Sequence, residues 1–183
     1  MASEQKKQPG REAYEWVQTL VCSVLAVVLV FTFVVRGFRV DGPSMRETLQ
    51  DGDILLILND HLCGGYQPGD IVVLRKASFR DGKPIVKRVI ALAGQTVDID
   101  FGAGIVYVDG KALEEDYIRE PTWTPEGHIF VLGDNRNNSS DSRHKDLGPI
   151  DIRMVTGKAV FLLVPGVTAD QVAREWSRVG SLQ

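Results

Sequence analysis

This chain contains few cysteines and histidines, and its net charge is small. Its 183 residues include two cysteines, and a net charge of -3 gives no indication of a nucleic-acid partner. Cys22 lies in an apolar stretch and Cys63 in a Gly-rich loop, so a disulfide framework is excluded. The histidines are also few, and none lies in the nucleophile-elbow context of a Ser–His–Asp hydrolase; they are His61, His128 and His144.

One long uncharged stretch is present near the N-terminus, between a short segment 1–15 and Arg36. It runs from Trp16 to Val35 and contains 20 residues without a charge. As a helix rising about 1.5 Å per residue, it spans about 30 Å, the hydrocarbon thickness of a bilayer. A cleavable secretion signal is the alternative, but its apolar region is shorter and ends at small residues. Residues 16–35 are therefore predicted to be a retained transmembrane anchor in a lipid bilayer.

The flanking charges do not orient this anchor. Three basic residues lie on each side of it, namely Lys6, Lys7 and Arg11 before and Arg36, Arg39 and Arg46 after. The positive-inside rule counts only lysine and arginine, so the comparison is a tie.

The pattern after the anchor is that of β-strands. Seven short apolar runs are separated by glycine, proline or aspartate: 53–58, 70–74, 85–92, 96–99, 105–108, 129–132 and 158–164. Asp109-Gly110 is typical of a hairpin turn. Helical patterns of 10–15 residues do not interrupt these runs, so an all-β domain, a sheet or a barrel, is predicted over 36–165. Residues 166–183 are a C-terminal tail in which 168–179 are compatible with a short helix.

Ser44 is a candidate nucleophile. It follows Gly42-Pro43, nine residues after the anchor ends at Val35. Proline fixes a backbone angle and glycine relieves crowding, so the hydroxyl projects from a defined bend. A serine hydroxyl is a weak nucleophile that needs a neighbouring base. Without such a base, a serine in this position is an ordinary turn residue.

Lys87 is the candidate base. Alternate residues of a strand share a face, which puts Lys87 with the apolar Ile85 and Val89 and puts Arg88 on the opposite face. Arginine does not lose its proton in a protein, whereas burial lowers the pKa of a lysine by disfavouring its charged form. The alternative is a lysine whose ammonium reaches solvent from an edge strand.

A polar segment, Gly133–Arg143, follows one of the predicted strands. It lacks the alternating acidic ligands and closing glutamate of an EF-hand loop, and no metal or organic cofactor is predicted. The segment contains hydroxyls that would orient a neutral amine and acid–base pairs that would fix a loop. A solvated loop is the alternative.

Four motifs occur in a characteristic order: Gly-Pro-Ser-Met at 42–45, Gly-Asp-Ile-Val-Val at 69–73, Lys-Arg-Val-Ile-Ala-Leu-Ala-Gly at 87–94 and Gly-Asp-Asn-Arg-x-x-Ser-x-Asp-Ser-Arg at 133–143. Together they resemble bacterial type I signal peptidase over roughly residues 14–165. The resemblance implies that Ser44 is the nucleophile, with its backbone N–H at the oxyanion, and that Lys87 is the general base. It also implies that Ser139 hydrogen-bonds the lysine, and that Asp141 and Arg143 support the site.

The same resemblance implies a partly barrel-like antiparallel β-domain on the extracytoplasmic side of the cytoplasmic membrane. Its substrates would be the signal peptides of exported preproteins, cut at Ala-x-Ala sites through an acyl-enzyme. A non-catalytic anchored β-domain that binds secreted segments is the alternative, although it would not need Ser44, Lys87 and Ser139 together. The chain departs from the family pattern at Arg46-Glu47, where a proline is common, and at Gly42, where some members have a serine.

Overall fold

A computed structural model describes residues 9–100, 105–113, 122–167 and 173–182. The chain forms two units, one that ends at Val35 and one that begins at Arg36.

The first unit is helical. An α-helix, α1, runs over Pro9–Leu29 and continues as a π-helix over Val30–Val34. Residues Gly10–Val34 are long and apolar enough to cross a membrane, with a mean hydropathy of 2.5 and no buried side chains. The predicted anchor thus lies within this helix except for Val35, which begins the first strand.

The second unit is built from β-strands, and its described helices are all 3₁₀ turns. The strands are β1 (Val35–Arg39), β2 (Ile54–Asn59), β3 (Ile71–Leu74), β4 (Ile85–Ala91), β5 (Thr96–Asp100), β6 (Ile105–Val108), β7 (Lys111–Leu113), β8 (Thr122–Trp123), β9 (His128–Leu132), β10 (Ile150–Asp151), β11 (Val155–Val164) and β12 (Gly180–Ser181). The 3₁₀ turns are Asp60–Leu62, Arg80–Gly82, Arg136–Asn138, Ile152–Met154 and Trp176–Arg178.

These strands form two sheets. The larger has the order β1-β2-β11-β3-β4-β9-β10, with β12 also paired to β11, and the smaller has the order β7-β6-β5-β8. The pairs β2–β11, β3–β4 and β4–β9 are antiparallel. Irregularities between Ala159 and Phe161 and between Val89 and Ala91 bend the larger sheet, which curls into a half-barrel. The predicted all-β, partly barrel-like fold class is confirmed.

All seven predicted apolar runs are strands in the structure. Five further strands were not predicted. Four of them, β7, β8, β10 and β12, have only two or three residues each, too few for an alternating pattern to show in the sequence. The fifth, β1, begins at Val35, the last residue of the predicted anchor. Of the predicted helix at 168–179, residues 168–172 lie outside the described residues. The described part differs from an α-helix, because Trp176–Arg178 is a 3₁₀ turn and the chain then pairs with β11 at Phe161 and Leu162.

The core explains why β4 is buried on both faces. Ile85 and Val89 pack in a cluster with Val131 of β9, whereas Val86 packs in a second cluster that contains Met45 and Leu49. A third cluster joins the smaller sheet to β9 through a shared set of apolar side chains, namely Ile90, Val97, Ile99, Val106, Phe130 and Leu132. A polar side chain on β4 therefore enters a region from which water is largely excluded.

Candidate active site

Ser44 lies in a tight turn between β1 and β2. The backbone N–H of Arg46 donates to the Pro43 carbonyl at 3.0 Å, and that of Leu49 donates to the Met45 carbonyl at 2.6 Å. Gly42 has a φ of 95°, in the left-handed region that favours glycine. Met45 and Leu49 are fully buried, so the turn is fastened to the core while Ser44 itself is half-buried.

The Arg46-Glu47 pair, where a proline is common in the family pattern, lies on the outside of this turn. Arg46 and Glu47 are both exposed. Neither residue interrupts the hydrogen bond from the Thr48 backbone N–H to the Met45 carbonyl, at 2.8 Å. The turn is closed without the proline that is common in the family.

Lys87 projects from β4 toward this turn. It pairs with Val72 of β3, is 2% exposed, and its Nζ lies 2.6 Å from Ser44 Oγ. Burial disfavours the charged ammonium and lowers the pKa of Lys87 to about 8, against a smaller opposite effect of the Asp141 charge. A serine hydroxyl and a lysine amine are thus in contact, and the lysine is almost entirely shielded from water.

Arg88, the next residue of β4, reaches other partners. Its Nε lies 2.9 Å from Asp134 Oδ1, its Nη2 lies 2.7 Å from Asp134 Oδ2, and its Nη1 donates to the Gly69 carbonyl at 2.7 Å. Arg88 does not contribute to the contact between Ser44 and Lys87, in agreement with the strand alternation.

The segment that follows β9 holds the turn from one side. The Asn135 backbone N–H donates to the Ser44 carbonyl, and its side-chain Nδ2 donates to the Pro43 carbonyl, both at 3.0 Å. At Gly133 this segment passes very close to the turn. A Cβ added there would lie 2.1 Å from Ser139 Oγ and 2.5 Å from the Ser44 carbonyl oxygen. Only glycine fits at this position without movement of the backbone.

Asp141 and Arg143 are bonded as a pair. Arg143 Nε donates to Asp141 Oδ1 at 2.7 Å, and Arg143 Nη2 donates to Asp141 Oδ2 at 2.8 Å. The fully buried Asp141 carboxylate also accepts from the Gly133 backbone N–H at 3.0 Å. Arg143 Nη2 in turn donates to the Arg136 carbonyl at 2.7 Å. The pair therefore fixes the loop that contacts Ser44.

Ser139 lies at the site, but its contacts differ from those that the resemblance implies. Its Oγ is buried and has no hydrogen-bond partner among the described residues, so the implied bond to Lys87 is not made in this structure. The hydroxyl is packed against Gly133 instead.

The backbone N–H of Ser44 is the group that the resemblance places at the oxyanion. In the described part of the chain it donates to no acceptor, although the Ser44 carbonyl does accept a bond. The described residues also contain no group of three or more His, Cys, Asp or Glu side chains arranged to hold a metal ion.

Several residues that contact the turn were not singled out by sequence reasoning. Thr48 Oγ1 donates to Asp134 Oδ2 at 2.6 Å, and the Asp134 backbone N–H lies 3.4 Å from Met45 Sδ. The Gly-Asp-Asn motif contained Asp134 and Asn135, but their partners lie about ninety positions earlier, beyond the reach of local patterns.

Comparisons with known proteins point to one family. A family model described as "Signal peptidase, peptidase S26" matches residues 13–164. The chain is 37% identical to a probable signal peptidase I-1 of Synechocystis sp., over 88% of this chain and 84% of that protein. It is 32% identical to a signal peptidase I of Bacillus licheniformis, over 90% and 96% of the two chains. A solved signal peptidase I from Enterococcus faecalis has 30% identity over 51% of this chain and 96% of its own, with a TM-score of 0.44.

Proposed function

Because the chain belongs to the signal peptidase family, peptidase S26, we propose that it cleaves signal peptides with Ser44 as nucleophile and Lys87 as general base. The members of this family are serine endopeptidases. Because this chain belongs to the family, its reaction is the cleavage of signal peptides by a peptidase. The observation that supports the dyad is the distance of 2.6 Å between Ser44 Oγ and Lys87 Nζ inside a buried environment.

The environment of Lys87 suits it to the role of base. A general base works best when its pKa lies near the operating pH, and burial brings the pKa of Lys87 to about 8. About a tenth of the amine is therefore neutral at pH 7, whereas an ordinary lysine is almost fully charged. The neutral amine accepts the Ser44 hydroxyl proton along the existing contact.

Each proton in the reaction is then accounted for. Lys87 Nζ takes the proton as Ser44 Oγ bonds to the scissile carbonyl carbon, and the carbonyl oxygen becomes an oxyanion beside the Ser44 backbone N–H. The resulting ammonium of Lys87 gives its proton to the leaving amine as the peptide bond breaks. An acyl-enzyme remains on Ser44, and Lys87 takes a proton from the water that attacks its carbonyl carbon. The bond from that carbon to Ser44 Oγ then breaks, Lys87 returns the proton to Ser44 Oγ, and the product leaves as a carboxylic acid.

The supporting residues act by holding the reacting groups in place. Asp141 and Arg143 fix the loop that carries Gly133, and Asn135 holds the Ser44 carbonyl. Ser139 packs against Gly133, and its buried hydroxyl has no partner among the described residues, which supports the proposal that it orients the lysine amine. These contacts support roles in positioning.

The substrate is proposed to be an extended segment of a preprotein that ends in Ala-x-Ala. An extended peptide that adds as a strand gains main-chain hydrogen bonds, and alternate side chains then enter pockets on one side. Alanine at the first and third positions before the cut fits that spacing. The α1 helix anchors the protein in the cytoplasmic membrane, with the β-domain on the extracytoplasmic side, where exported preproteins emerge.

The proposal is tested with purified full-length protein in detergent and a preprotein that carries an Ala-x-Ala site. Ser44→Ala, Lys87→Ala and Lys87→Arg are each expected to abolish cleavage, since arginine keeps the charge but cannot act as base. Ser140→Ala and Lys145→Ala are matched controls, because both side chains are exposed, and both should cleave normally. Undiminished cleavage by Lys87→Arg would show that Lys87 is not the base, and binding without cleavage by the wild type would favour the non-catalytic alternative.

A further inference from the structure

Arg178, near the C-terminus, forms an ion pair with a buried carboxylate beside the catalytic turn. Its Nη2 lies 2.7 Å from Asp53 Oδ2 and its Nη1 lies 3.1 Å from Asp53 Oδ1. Asp53 is fully buried, and only 17% of the Arg178 side chain is exposed. Two charges largely removed from water hold a fixed geometry, because separation would leave each buried without its opposite charge.

The Asp53 carboxylate is bonded on all sides. It accepts the backbone N–H of Gln50 at 2.8 Å and that of Gly166 at 2.6 Å. At Gly166 the chain passes so close that an added Cβ would lie 2.0 Å from the Asp51 carbonyl oxygen. Asp53 thus joins the C-terminal end of the catalytic turn to the segment after β11.

Arg178 also contacts the turn directly. Its Nη2 donates to the Thr48 carbonyl at 3.2 Å, while Thr48 Oγ1 donates to Asp134 Oδ2 at 2.6 Å. The Asn135 backbone N–H holds the Ser44 carbonyl. The turn from 44 to 48 is therefore held at its start by the loop after β9 and at its end by Arg178.

The segment that carries Arg178 lies beyond the residues that match the family, which end at 164. It is tied to the β-domain because β12 pairs with β11 and the Leu182 backbone N–H donates to the Val160 carbonyl at 3.1 Å. Leu182 packs against the cluster that contains Met45 and Leu49. The C-terminal segment and the catalytic turn thus share one core.

We propose that Arg178 is a positioning residue for cleavage, which holds Ser44 in line with Lys87 through Asp53 and the Thr48 carbonyl. The inference rests on the proposed dyad. Displacement of a reacting atom by about 1 Å lowers a rate by about a hundredfold, and the bond from Arg178 Nη2 to the Thr48 carbonyl lies only four residues from the nucleophile. The planar guanidinium satisfies Asp53 and Thr48 at once, which a lysine ammonium on a flexible stem does not reproduce.

The test compares kcat and KM for full-length variants in detergent with a preprotein substrate. Arg178→Lys keeps the positive charge but loses the planar guanidinium that bonds Asp53 and Thr48 together. The double variant Asp53→Asn/Arg178→Gln removes both buried charges, and it serves as the test if Arg178→Lys fails to fold. Arg174→Ala is the matched control in the same segment, since Arg174 Nη1 donates to the Pro165 carbonyl at 2.5 Å and does not contact the turn.

We expect kcat to fall by about tenfold or more in Arg178→Lys and in the double variant, with KM within about twofold, because the reacting geometry is disturbed rather than the binding cleft. Arg174→Ala should retain the wild-type kcat. A wild-type kcat in the double variant, or an equal loss in Arg174→Ala, would overturn the proposal. Ser44→Ala distinguishes failure of the Arg178 proposal from failure of the proposed dyad, because cleavage by that variant would overturn the dyad itself.

Discussion

The Arg88 guanidinium donates two hydrogen bonds to the Asp134 carboxylate, from Nε to Oδ1 at 2.9 Å and from Nη2 to Oδ2 at 2.7 Å. The two side chains are 18% and 8% exposed, so the pair is largely shielded from water. Arg88 Nη2 also lies 3.2 Å from Thr48 Oγ1. The residue next to the proposed base therefore connects β4 with the loop after β9 and with the catalytic turn.

Arg88→Ala is expected to lower the free energy of unfolding by about 3 kcal/mol, since removal of one partner leaves the other charge buried and unpaired. Cleavage should also decrease, because Asp134 would no longer hold Thr48 in a fixed position. Chemical unfolding of the detergent-solubilised protein, followed by tryptophan fluorescence, measures the first effect. Arg153→Ala is the control, because that side chain is 86% exposed in its pair with Asp151, and it should leave the unfolding midpoint unchanged. Equal midpoints for the two variants would contradict the prediction.

Gly133→Ala tests the close contact between the loop after β9 and the nucleophile. The new methyl group would meet the Ser44 carbonyl oxygen at 2.5 Å and Ser139 Oγ at 2.1 Å. A hydroxyl moves aside easily, but a backbone carbonyl does not, so the turn must shift and kcat should fall by about a hundredfold. Combination with Ser139→Ala should not restore the rate.

The matched control for this substitution is Gly180→Ala, where an added Cβ meets nothing within 4 Å. Steady-state cleavage rates of the three variants give the answer. A Gly133→Ala protein with a normal kcat would show that the turn adapts and that the close contact has no role in catalysis.

Lys87→Met should stabilise the protein while it abolishes cleavage. Burial lowers the folded-state pKa of Lys87 from 10.5 to about 8, so the fold disfavours the charged amine that the unfolded chain prefers. At pH 7 this difference costs the wild type about 3 kcal/mol, and methionine of similar length avoids the cost. The gain in the free energy of unfolding should have its full value below about pH 8 and should disappear as the pH rises toward 10.5. Unfolding curves at pH 7 and pH 10 measure it, with the exposed Lys145→Met as control; a loss of stability at pH 7 would contradict the expected sign.

Local patterns predicted the fold class, the apolar helix and the strand that carries Lys87. Alternation along β4 and the basicity of arginine selected Lys87 over Arg88 as the candidate base, and Lys87 Nζ does lie 2.6 Å from Ser44 Oγ. Its role as base stays a prediction. Ser44 was chosen from its Gly-Pro turn, and Gly42 does adopt a positive φ.

Contacts between distant segments escaped that reasoning for a physical reason. Asp53 and Arg178 are 125 positions apart, and in the sequence Asp53 is only the first residue of the apolar run 53–58. Its burial depends on how β11 and the C-terminal segment pack, which no short window contains. The same holds for β12, whose two residues are a strand only because β11 lies beside them.

The pH dependence of cleavage reports directly on Lys87. Only the neutral amine accepts the Ser44 proton, so kcat/KM should rise with pH and reach half of its plateau near pH 8. Below that midpoint it should fall about tenfold per pH unit. A peptide substrate without titratable side chains isolates the enzyme's own groups. His144→Gln should leave the profile unchanged, since that exposed ring contacts Asp146 and Phe79 rather than Ser44 or Lys87.

Arg80 allows a sharper version of the same experiment. Its positive charge contributes to the lowered pKa of Lys87, and the side chain is exposed on a turn with a φ of 48°. Arg80→Gln removes that charge, so the ammonium becomes easier to form and the midpoint of kcat/KM should move to higher pH. Lys83→Gln removes an exposed cation nearby and should move the midpoint less. A midpoint that stays fixed in Arg80→Gln, or a rate that does not change between pH 6 and pH 9, would mean that a group other than Lys87 limits the reaction.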